Sequence, residues 1–101
     1  MADISNEVAS LINELRAVQP GDWKSLDRIC RDTGDVHARV AMNSHEGAEA
    51  LRTACEYLER AKTGIRYPKA NETNINKAIA ALEASGYAAA QSGAPATHAP
   101  L

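Results

Sequence analysis

The chain has 101 residues and is 45% hydrophobic, but 20 of those residues are alanine and phenylalanine is absent. Leu, Ile and Val together number 17, which fits one small domain with a thin core, because a chain this short buries only about 60–65% of its unfolded surface. The formal charge is −2, no apolar run approaches the ~20 residues of a bilayer span, and Asp3, Glu7 and Glu14 stand where a secretory signal would be basic. The expectation is a small acidic, cytoplasmic protein with no membrane partner.

Ile4, Val8, Leu11, Ile12, Leu15 and Val18 recur with a 3.6-residue period and predict a first helix over 4–18, started by Asp3 or Ser5. Pro20-Gly21 stops it, and Asp22 is placed to cap a short second helix carrying Trp23, Leu26, Ile29 and Cys30. Gly34 is expected to end that helix in a left-handed turn, with Asp35 capping the next.

From Val40 through Ser44, Gly47, Leu51, Ala54, Leu58 and Ala61 to Ile65, steps of four and three residues permit one helix over 35–63. The capping residues Asn43 and Ser44, Glu46 three positions after Asn43, and the ~1 kcal/mol cost of Gly47 inside a helix favour two helices meeting at 43–46. Gly64 ends this region, Tyr67 before Pro68 is biased to extended backbone, and Asn71 or Thr73 starts a last helix that Gly86 closes. The fold class is therefore all-α, a small bundle of four or five helices. Residues 1–88 form a single helical domain, and 89–101 are read as a flexible Ala/Pro-rich tail.

Charge is unevenly distributed. Residues 1–59 sum to −5 and residues 60–77 to +4. The basic stretch either meets an anionic partner or folds back on the acidic helices. Asp27–Arg31, Arg28–Asp32, Asp35–Arg39, Arg52–Glu56 and Glu56–Arg60 stand four apart, the spacing of ion pairs on solvated helix faces.

Little in the sequence points to catalysis. There is no Gly-x-Ser-x-Gly turn, glycine-rich phosphate loop, Cys-x-x-Cys or His-Glu-x-x-His. His45 and Glu49 share a helix face but lack a third metal ligand, and Cys30 and Cys55 fall on apolar stripes as small buried thiols rather than as nucleophiles or a disulfide. The protein is read as a non-enzyme without cofactor or metal.

Two functional readings follow. In the leading one the chain is a protein-interaction module of the adaptor, inhibitor or immunity type, touching its partner through Trp23, Arg60, Lys62, Arg66, Tyr67 and Lys69 or through the acidic body. A homodimer is a further candidate assembly, since a thin core gains from a second copy. Trp23 can serve either as a staple over the core or as an exposed anchor. In the alternative, residues 23–45 form a helix-turn-helix whose Arg39, Asn43 and His45 reach DNA, although Asp27, Asp32 and Asp35 oppose phosphate docking.

Overall fold

The computed structural model describes residues 4–43 and 47–87. It holds four helices and, among the described residues, no strand: α1 (Ile4–Ala17), α2 (Trp23–Asn43), α3 (Ala48–Thr63) and α4 (Pro68–Ala84). Each helix packs on the next in the chain and α4 closes onto α1, giving an up-down-up-down bundle. The expected tail, 89–101, lies outside the described residues.

The helical periods seen in the sequence become the core. Val8, Leu11, Ile12 and Leu15 of α1 are buried with Leu26, Ile29, Val36 and Val40 of α2, Leu51 and Leu58 of α3, and Ile75 and Leu82 of α4. Ala54, Ala61, Ala78 and Ala81 complete it, so α3 and α4 meet through small side chains that allow close approach. Each buried Leu or Val contributes on the order of 1.5–3 kcal/mol, and these few residues carry most of the stability.

Pro20-Gly21 stops α1 at Ala17, one residue short of the expected end, with Gly21 in the left-handed region at φ 82°. Asp22 caps α2 as anticipated: its carboxylate accepts the Ser25 amide at 3.2 Å and the Ser25 hydroxyl at 2.7 Å. Those two bonds hold the Asp22 carboxyl below the usual carboxylate range.

The expected break at Gly34 is not there. Helix α2 runs through it to Asn43, and Asp35 pairs with Arg39 at 3.0 Å instead of capping a new helix. The reason is burial: Ile29, Thr33, Val36 and Val40 continue one inward stripe, which outweighs the ~1 kcal/mol that a helical glycine costs. Thr33 is fully buried yet satisfied, because its hydroxyl donates to the Ile29 carbonyl at 2.7 Å.

The break between α2 and α3 falls in the expected place, but Asn43 closes α2 rather than capping α3, whose cap position is Gly47 without a side-chain bond. Asn43 is the last residue of α2, its side-chain amide donating to the Arg39 carbonyl at 2.8 Å, and Gly47 opens α3 at φ 82°. A side chain on Gly47 would lie 2.8 Å from the Ser85 carbonyl oxygen and 3.0 Å from the Tyr87 ring, so the end of α4 packs directly on this glycine.

Helix α4 starts at Pro68, ahead of both expected starts. Proline suits a first helical position because its missing amide has no partner to lose, and Tyr67 before it is extended at φ −112°. Asn71 is thereby freed from capping; it is buried, and its side-chain amide donates to the Ala61 carbonyl at 2.7 Å. Gly64 and Ile65 bond back to Arg60 and Lys62, so the chain beyond α3 and the side chain of α4 share the exposed carbonyls of α3.

Candidate interaction surface

The bundle sorts its charges by pairing. Six of the 11 Lys and Arg side chains reach carboxylates. On the α1–α2 face Arg28 takes Glu14 at 3.2 Å and Asp32 at 3.5 Å, while Arg39 takes Glu7 and Asp35. Two arginines thus each bridge a glutamate of α1 and an aspartate of α2. The Arg39 guanidinium holds the Glu7 carboxyl below its ordinary range. A shallow acidic groove between them, lined by Glu7, Glu14, Asp32 and Asp35, is neutralised by these same arginines. The acidic body seen in the sequence is largely committed to internal pairs.

The basic stretch divides three ways. Lys62 folds back, 3.0 Å from Asp27 and 3.6 Å from Glu59, and the Asp27 contact raises its pKa above the ordinary lysine value. Arg60 and Lys77 lie 5.2 and 5.6 Å from the centre of the half-buried Tyr57 ring. The expected Glu56–Arg60 pair does not form, because Glu56 bonds Arg52 at 3.0 Å. Arg60 and Lys77 make no ion pair, and among the described residues Lys24, Arg66 and Lys69 have neither an ion pair nor a ring contact, while Glu72 is the one carboxylate left without a partner.

These free charges gather at one end of the bundle, where the α1–α2 and α3–α4 turns lie. Trp23 is 47% exposed and sits 5.7 Å from the Lys62 ammonium, so it lies over a cation rather than over the core. Tyr67, in the other turn, is 65% exposed, and Arg66 and Lys69 beside it are exposed. Of the six contact residues read from the sequence, Trp23, Arg66, Tyr67 and Lys69 face solvent here. Lys62 is occupied by its pairs, whereas Arg60 is also exposed, with its guanidinium over Tyr57.

Between these turns opens a groove of about 420 Å³ that sequence reading did not identify. Its floor is Leu15 and Ile75, its walls include the half-buried Val18 and Ile79 with Pro20 and Pro68, and its rim carries Arg16, Lys69 and Glu72. Val18 and Ile79 both belong to apolar stripes in the sequence. What the sequence could not show is that the end of α1 and the first three turns of α4 stay apart enough to leave those residues open.

The turn of the expected helix-turn-helix is not formed. Arg39 is held by Glu7 and Asp35, Asn43 bonds its own helix, the turn at Gly34 is absent, and His45 lies outside the described residues. Burial governs both thiols. Cys30 is buried and donates to the Glu59 carboxylate at 3.2 Å; burial first, then that carboxylate, push its pKa up to about 12. Burial raises Cys55 as well, and the two remain free thiols. No group of metal-ligating side chains assembles among the described residues, and none of their helices is long and apolar enough to cross a membrane.

Comparison with protein-family models, with curated proteins and with solved structures finds no match to this chain.

Proposed function

We propose that this protein is a non-enzymatic interaction module, of the adaptor or inhibitor kind, that docks a protein partner on the end of the bundle formed by its two short turns. The observation that carries this reading is the open α1–α4 groove, in which Val18 and Ile79 are left part-exposed, with Trp23 and Tyr67 exposed at the two turns of the same end. A chain with so few bulky apolar residues gains by burying all of them. Leaving four large apolar or aromatic side chains accessible at one end marks a surface that is covered in use.

The mostly paired carboxylates and the thiols pushed up by burial support the same reading, since nearly all of these groups are held by neighbours or by the core. The test is affinity capture from the source cell with wild type and with Ile79→Asp, each after nuclease treatment. A stoichiometric protein retained by wild type and lost by an Ile79→Asp variant of unchanged helical circular dichroism supports the module. Equal capture by both, or loss of every partner to nuclease, overturns it; Val18→Asp gives an independent variant should Ile79→Asp unfold.

A further inference from the structure

The geometry points to an acidic amphipathic helix of another protein as the occupant of the α1–α4 groove, its apolar edge on Val18, Ile75 and Ile79 and its carboxylates towards Lys24, Arg66 and Lys69. This rests on the interaction reading above and adds the chemistry of the partner.

Shape is the first argument. The groove follows α4 from Pro68 to Ile79, eleven rises of 1.5 Å or about 17 Å, which matches about three turns of a helix. A helix laid there offers side chains at i, i+4 and i+7 to the aliphatic residues and two prolines of the lining, which also includes Gln19, Asn71 and Asn76. Aliphatic lining disfavours nucleic acid, which brings flat bases and phosphates but no aliphatic anchors.

Charge is the second and independent argument. The protein is formally −2, and most of its described carboxylates are already held by its own cations or, for Asp22, by Ser25. What remains without a carboxylate among the described residues is Lys24, Arg60, Arg66, Lys69 and Lys77, five positive charges against the single unpartnered Glu72; Lys69 and Glu72 line the groove itself, and Lys24 and Arg66 stand at the two turns of the same end. A second copy docking the same end symmetrically would set those cations against each other, whereas an acidic partner supplies their missing counter-ions.

The test uses synthetic probes on the intact, isotope-labelled protein. One peptide of about four helical turns carries leucines at i, i+4 and i+7 with glutamates on its flanks. A second replaces every glutamate by lysine, and a third keeps the first one's composition but scrambles its period; a single-stranded oligonucleotide is the fourth probe. The expected result is that the glutamate peptide alone shifts the amides of Leu15, Val18, Ile75 and Ile79. Its affinity should fall about tenfold or more from about 50 to 500 mM salt and about tenfold in Arg66→Glu/Lys69→Glu.

Binding of the lysine peptide in the groove, or salt-independent binding, overturns the acidic partner while leaving the interaction module standing. Groove shifts with the oligonucleotide alone overturn it in favour of nucleic acid, as do equal shifts with the scrambled peptide, which would show charge acting without the groove. If no peptide shifts the groove amides at millimolar concentration, the proposal is lost, and the capture experiment with Ile79→Asp then decides separately whether the module reading survives.

Discussion

The side-chain amide of Asn71 donates to the main-chain carbonyl of Ala61 at 2.7 Å, so a buried residue of α4 satisfies one of the last carbonyls of α3. Losing a buried partner costs the desolvation of the group left behind, typically about 1–3 kcal/mol. Asn71→Ala should destabilise the bundle by that amount in urea unfolding. Asn71→Asp should be worse at neutral pH, since a carboxylate cannot donate to a carbonyl. The gap between the two variants should close as acid protonates the aspartate and restores a donor. A stability order that does not change with pH would mean that the contact is packing rather than a hydrogen bond.

Gly34 yields a prediction opposite in sign to the one its sequence context implies. As a left-handed terminator it would reject alanine. In the structure it lies within α2, its φ is not positive, and a Cβ added there meets nothing within 4 Å. Gly34→Ala should therefore stabilise by about 0.5–1 kcal/mol and raise Tm by a few degrees, read by thermal unfolding. A drop in Tm would mean that the helix breaks there after all.

That contrast shows which parts of the molecule were legible in the sequence. The stripes Val8–Leu15, Leu26–Ile29 and Leu51–Leu58, the Asp22 cap and the break near Asn43 follow from period and capping chemistry, which act over a few residues. Gly34 and Gly47 are the same residue type in similar surroundings, and only the long-range facts separate them: Val36 and Val40 are pulled inward on one side, while Ser85 and Tyr87 press on the other. The surface divides the same way. Pairs four apart, such as Arg28–Asp32 and Asp35–Arg39, could be read directly, whereas Glu7–Arg39, Lys62–Asp27 and the groove between Val18 and Ile79 join distant segments. Trp23 and Tyr67 were recoverable as exposed side chains because each sits beside a turn, where a helical stripe has no inward face to give it.

Gly47 and Gly21 form a controlled pair. Both are at φ 82°, but a Cβ at Gly21 meets nothing within 4 Å while one at Gly47 lies 2.8 Å from the Ser85 carbonyl. Gly21→Ala should cost only the left-handed penalty, about 1–2 kcal/mol. Gly47→Ala should cost more, because a backbone oxygen must move as well, and it should speed amide exchange around Ser85 and Gly86. Equal destabilisation by the two variants would show that the end of α4 yields freely.

Cys30 sets the alkaline edge of stability. Its thiol is held up to about 12, against 9.0 for an ordinary cysteine, by burial and by the Glu59 carboxylate. The folded state therefore keeps a proton that the unfolded chain releases. Its contribution is complete below pH 9.0 and is lost progressively as pH climbs towards 12. Lys62, raised by its bond to Asp27, acts in the same direction but later, since its contribution starts to fall only above the ordinary lysine value of 10.5. Cys55, raised by burial, adds to the earlier part. Urea midpoints taken from pH 8 upward should fall less steeply in Cys30→Ala than in wild type over the first part of that range, while Lys62→Met should flatten the later part. Native Cys30 should also resist alkylation at pH 8 and label readily once unfolded. Rapid labelling of the folded protein, or identical alkaline slopes in wild type and Cys30→Ala, would show that the thiol is not held by Glu59 in its buried site.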